Sequence, residues 1–160
     1  MINMKPTVYI ETTIISYLTA RPSRDIIIAA HQRVTDQWWF DRREQYELFI
    51  SQAVIDEASV GNQDFARRRL EKIQSLPLLD VTDAVAALAE ELIVSGPLPE
   101  QAAIDAVHIA AAAVHGMDFL LTWNLKHIAN ASMRNKIEQV CRSKGYRPPV
   151  ICTPEELLGE

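Results

Sequence analysis

Two carboxylates, Asp105 and Glu11, stand where their sequence surroundings ask for a chemical explanation. Glu57, just after another apolar run, is a third candidate whose surroundings alone say little. Asp105 interrupts the apolar run Ala102-Ala103-Ile104-Asp105-Ala106-Val107-His108-Ile109-Ala110. An aspartate in so apolar a helix is costly unless it is paired, hydrogen-bonded or metal-bound. A first-turn acid favoured by the helix dipole explains it only if the helix begins near Ala102. His108 lies one turn further on and can face the same site, although a histidine packed against a sheet is the ordinary reading. Glu11 follows an apolar run directly, in Ile10-Glu11-Thr12-Thr13, where a helix-start acid is an equal reading. Glu57 adjoins Asp56, so on a helix the two point in different directions and one turns inward beside Val54 and Ala58. Asn124 closes a later apolar run in Thr122-Trp123-Asn124, whereas Asp118 opens that run and reads more easily as a turn residue.

Other chemistries lack their signatures. GxGxxG, GxxxxGK[ST] and GxSxG are all missing. The histidines, His31, His108, His115 and His127, have no HExxH spacing, and Cys141 and Cys152 form no zinc-type pair. The first apolar run ends in Glu-Thr-Thr, not in the Asp-x-Asp of a phosphoaspartyl enzyme. What remains is oxygen-donor chemistry with a hard cation, Mg²⁺ or Mn²⁺.

These side chains are far apart in sequence, so a fold must gather them. Residues 7–10, 46–50, 118–122 and 149–152 are short apolar, β-rich runs that predict strands, and residues 78–81 predict a fifth. Helical spacing predicts helices over residues 25–44, 53–60, 63–75, 83–94, 102–114 and 132–143. Thr153-Pro154-Glu155-Glu156 reads as an N-cap, a first-turn proline and first-turn acids. Strands alternating with helices predict right-handed crossovers and a parallel sheet covered on both faces, one α/β domain over residues 1–160. In such a sheet ligands bind beyond the carboxyl ends of the strands, where Glu11, Glu57 and Asn124 would lie.

The 160 residues are 48% hydrophobic, which suits a folded core and excludes disorder. No run approaches the roughly 18 apolar residues of a membrane span. Residues 1–6 show no signal peptide, and two cysteines are too few for a disulfide framework, so a cytoplasmic protein with reduced thiols is expected. A net charge of −5 argues against a general polyanion-binding surface. It leaves a nuclease open, because site carboxylates add negative charge that bound cations reverse locally. Arg21 with Arg24, Arg67 to Arg69 with Lys72, and Lys126 with Arg134 and Lys136 form local basic groups, each most simply a solvated helix face. Trp38-Trp39-Phe40 reads first as core and second as a partner or dimer surface.

Taken in order, the landmarks Val8-Tyr9-Ile10-Glu11-Thr12-Thr13, Ser51 through Glu57-Ala58, Asp105-Ala106-Val107-His108-Ile109-Ala110 and Leu121-Thr122-Trp123-Asn124 resemble the PIN domain family, in particular the VapC-like toxins of toxin–antitoxin pairs. The resemblance implies a three-layer α/β/α sandwich with a central parallel sheet. It further implies an acidic cluster holding one or two Mg²⁺ or Mn²⁺, endonucleolytic cleavage of RNA, a small antitoxin partner and a homodimer. By position it makes Glu11, Glu57 and Asp105 the catalytic metal ligands, with Glu11 standing where an aspartate is usual. Asn124 takes the place of a frequent fourth acid, and Asp118 would supply the missing charge if the strand register allowed. Thr12, Thr13, Thr122 and His108 flank the site. The same resemblance admits a binding module of this fold with a degraded site.

Overall fold

A computed structural model of the chain describes residues 4–159, so residues 1–3 of the opening stretch lie outside the described residues. The sheet is built around β1 (Thr7–Ile10), whose Val8, Tyr9 and Ile10 are fully buried. β-Branched and aromatic side chains fit a strand enclosed on both faces, as the centre of a parallel sheet must be. β2 (Glu47–Ser51) and β4 (Phe119–Leu121) flank it in parallel, with Thr7 opposite Glu47 and Val8 opposite Phe119. β3 (Leu78–Leu79) and β5 (Val150–Cys152) complete the all-parallel order β3-β2-β1-β4-β5.

Every crossover is helical. α1 (Thr12–Thr19) and α2 (Ile26–Asp41) connect β1 to β2, and α3 (Gln52–Ala58) and α4 (Gln63–Ile73) lead to β3. α5 (Asp83–Val94) and α6 (Ala103–Val114) return to β4, α7 (Ala131–Ser143) reaches β5, and α8 (Pro154–Leu157) ends the order. α1, α2, α4 and α8 pack as one group, and α5, α6 and α7 as another. With right-handed crossovers these become the two outer layers of an α/β/α sandwich.

Local chemistry explains the helix starts. Asp25, Asn62 and Asn130 accept backbone N–H bonds at the N-termini of α2, α4 and α7, and Thr153 with Glu156 forms a capping box on α8. In α6, Ala106 and Ala110 to Ala113 are buried, and their small side chains let the helix lie close against α5.

The structure departs from the sequence reading in three places. α1 is absent from the helices that periodicity predicts, although Glu11, read equally as a helix-start acid, does stand at its N-cap. Thr-Thr-Ile-Ile-Ser-Tyr-Leu-Thr is poor in helix formers, and burial of Ile14 and Ile15 decides its conformation. The helix expected over residues 25–44 ends at Asp41, and Arg43–Gln45 form a separate 3₁₀ turn. The fifth strand shortens to two residues. Trp38 and Trp39 are core, while Phe40 is 68% exposed beneath the Lys72 ammonium. No helix among the described residues is long and apolar enough to cross a membrane.

Candidate metal centre

The strand order reverses direction at β1 and β4, and the crevice at their carboxyl ends is where such sheets bind ligands. Glu11 sits there, and its backbone N–H donates to the Leu121 carbonyl at 3.1 Å, carrying the β1–β4 ladder one residue further. Glu57 arrives on α3, directly after β2. Asp105 and His108 share one face of α6, one turn apart.

Glu11 is 2% exposed. Its Oε1 accepts from the Thr122 hydroxyl at 2.6 Å and from that of Thr13. Both hydroxyls are themselves fixed, Thr13 by the Trp123 N–H at 2.8 Å and Thr122 by the Asn124 N–H at 2.9 Å. Burial pushes the Glu11 carboxyl above its ordinary value, against the opposing pull of the His108 charge and the two hydroxyls.

Glu57 is held differently. Its Oε1 lies 2.6 Å from His108 Nε2 and accepts from the Thr12 hydroxyl at 2.6 Å. Burial acts to raise this carboxyl, yet the bonds from His108 and Thr12, together with the imidazole charge, leave it below its ordinary value. His108 is fully buried, and its Nδ1 lies 2.7 Å from the Tyr9 hydroxyl, which is 2.7 Å from Ser51 Oγ. An ionised carboxylate can only accept, so Nε2 carries the proton given to Glu57. Both imidazole nitrogens are thus engaged, and His108 braces Glu57.

Asp105 forms an adjoining constellation. Its Oδ1 accepts from Asn124 Nδ2 at 3.0 Å, and its Oδ2 faces His127 Nδ1 at 2.9 Å. The ligand atoms of Glu11, Glu57 and His108 lie within 4.8 Å of one another, and no such set among the described residues includes Asp105.

The structure therefore gathers Glu11, Glu57, Thr12, Thr13, Thr122 and His108 at one point, with Asp105 and Asn124 alongside. Asp118 is a correction. In a parallel sheet the residue before β4 lies at the amino edge, opposite Glu11, and there Asp118 accepts from the Thr7 N–H at 2.9 Å and pairs with Arg147 at 3.2 Å. It does not supply charge to the site. Tyr9, Ser51 and His127 join these networks although the sequence assigns them no site role. Tyr9 precedes Glu11 by two residues, and strand alternation alone puts both on one face. His127 gave no comparable signal.

The donor set suits a hard cation. The groups free to ligate are carboxylate oxygens, and Glu11 is a buried carboxylate whose direct partners are hydroxyls, an arrangement that a cation compensates.

No protein-family profile matches the chain, and no curated protein matches it in sequence. In fold it matches the crystal structure of VapBC2 from Rickettsia felis bound to a DNA fragment from their promoter, with a TM-score of 0.57. The match covers 92% of this chain and 98% of that chain at 14% identity. The fold is PIN-like. At that identity the likeness extends to the fold alone, and what the PIN-like scaffold does here is argued from its own residues.

Proposed function

We propose that this PIN-like chain is a Mg²⁺- or Mn²⁺-dependent endoribonuclease, and that it acts as the toxin of a toxin–antitoxin pair. The observation that carries the reading is the buried Glu11 carboxylate meeting Glu57 at the carboxyl edge of β1 and β4, each oriented by hydroxyl or imidazole donors. Glu11, Glu57 and Asp105 would hold the cation. When bound, such a cation acidifies water for attack and neutralises charge developing on a phosphodiester.

The chain's own residues set the stage for that chemistry. Thr13 and Thr122 orient Glu11, Thr12 and His108 orient Glu57, and Asn124 with His127 orients Asp105. A groove of about 470 Å³ between α1 and α4 opens one turn along α1 from Thr12 and includes Ser16, Arg21, Phe65 and Arg69. The Arg21 and Arg68 guanidinium groups lie 5.5 and 5.1 Å from the Phe65 ring. Together they supply cationic and aromatic groups for a single RNA strand. A small antitoxin and a second copy of the chain are the expected protein partners, the former suggested by the VapBC2 likeness.

The test is an RNA panel assayed beside a generic phosphomonoester, with Mn²⁺ and with chelator. Mn²⁺-dependent cleavage of RNA is expected, and turnover of the ester alone refutes the reading. One observation favours a second reading, a binding module without catalysis: both Asp105 oxygens already face N–H donors. Calorimetry showing no Mn²⁺ uptake at millimolar concentration selects that alternative.

A further inference from the structure

We propose that His127 is a positioning residue for Asp105, and that the turn from Asn124 to His127 does for this carboxylate what His108 does for Glu57. The inference rests on the metal-dependent reading above and extends it to a residue outside the acidic set.

The turn is pinned at every polar atom of Asn124. Its backbone N–H donates to Thr122 Oγ1 at 2.9 Å, and its carbonyl accepts from the N–H groups of Ile128 and Ala129 at 3.2 and 2.8 Å. Its side-chain Oδ1 accepts the His127 N–H at 3.0 Å, and its Nδ2 donates to Asp105 Oδ1 at 3.0 Å. One asparagine thus fixes the backbone from which His127 projects and also takes one oxygen of Asp105. The His127 ring completes the grip, with Nδ1 at 2.9 Å from Oδ2. Its side chain is 19% exposed and that of Asp105 18%, so water competes weakly for the bond.

The geometry also says which nitrogen matters. An ionised Asp105 accepts only, so Nδ1 carries the proton and the bond runs from the imidazole to the carboxylate. N–H donors in this relation orient a ligating carboxylate, and removing them typically weakens metal binding 10- to 100-fold. Asp105 lies in the first turn of α6, no side chain caps that helix, and two donors from a different segment set its rotamer.

Two conservative variants of the full chain separate this from a role for Nε2. In His127→Asn the amide nitrogen is as many bonds from Cα as Nδ1, so it can replace the donor to Asp105. In His127→Gln the amide nitrogen mimics Nε2 and overreaches Asp105. Mn²⁺ titration by calorimetry, with thermal melts as a fold control, is expected to show His127→Asn binding like the parent and His127→Gln on the order of 10- to 100-fold weaker. Retention in His127→Gln with loss in His127→Asn would make Nε2 the working atom and overturn the proposal. Binding unchanged or tightened in both variants overturns it too, because Asp105 then needs no brace. A parent that binds no Mn²⁺ overturns the metal-dependent reading itself, and this inference with it.

Discussion

Glu57 and His108 meet across the α3–α6 boundary with Oε1 2.6 Å from Nε2, and the bond continues inward through Tyr9 to Ser51. A buried chain of this kind stabilises only when each member is satisfied, and it fixes the rotamer of its outermost group. That group is a carboxylate of the proposed metal site.

Tyr9→Phe tests the chain without touching a carboxylate. Burial pushes the Tyr9 hydroxyl far above its ordinary range, so it stays protonated at any working pH. Its removal leaves the His108 Nδ1 and Ser51 hydroxyl without their partner, at a cost of about 1–3 kcal/mol. Urea denaturation should show the midpoint fall with the slope unchanged. A midpoint equal to the parent's would mean the chain contributes nothing to stability.

Asp105→Asn should abolish RNA cleavage while leaving far-UV circular dichroism close to the parent's, with some fall in melting temperature because the new amide N–H₂ faces one of the two N–H donors. The amide keeps the volume of the side chain and removes its charge. A variant that cleaves at the parent rate would remove Asp105 from the site.

Glu11 makes a signed prediction about pH. Its folded carboxyl is raised by burial. Such a group contributes stability that is full below its unfolded pKa, about pH 4 to 5, and is lost as pH rises through the folded value. In chelator, the parent should therefore lose stability relative to Glu11→Gln between pH 5 and pH 8. The amide oxygen still accepts from Thr13 and Thr122. Added Mn²⁺ should stabilise the parent and leave the variant unmoved. Denaturation curves at the two pH values decide it, and an unchanged difference between parent and variant would contradict a buried, raised carboxyl.

Asp118 carries the opposite sign and no site function. Its carboxyl is lowered, first by the Thr7 N–H and then by Arg147. Its stabilisation is present above the unfolded pKa and lost as pH falls through the folded one. With the side chain 40% exposed, Asp118→Asn should cost at most about 1 kcal/mol at pH 7, and less as the acid limit is approached. RNA cleavage and Mn²⁺ affinity should be untouched, and loss of either would place Asp118 in the site after all.

Much of the fold was legible from residue types. β-Branched and aromatic runs flanked by proline or glycine marked the strands around Tyr9, Leu120 and Ile151, an apolar run without such flanks marked the one around Phe49, and their alternation with helices implied a parallel sheet. Asp105 stood out because it is the only carboxylate in an otherwise almost wholly apolar helix. α1 was not legible: its threonines and isoleucines favour strand locally, and only the burial of Ile14 and Ile15 makes it a helix.

By itself, the sequence determined the strand order along the chain, most of the helices and the parallel architecture, and it singled out oxygen-donor residues beyond the strand ends. Those follow from side-chain periodicity and from the cost of burying a carboxylate, both local properties of the chain. The tertiary structure alone decided the partners. That Asp118 pairs with Arg147, that Tyr9 reaches His108 ninety-nine residues away, and that His127 grips Asp105 all depend on strand register and helix rotation. A few degrees or one residue of register changes which atoms lie within hydrogen-bonding distance, and no local spacing records that.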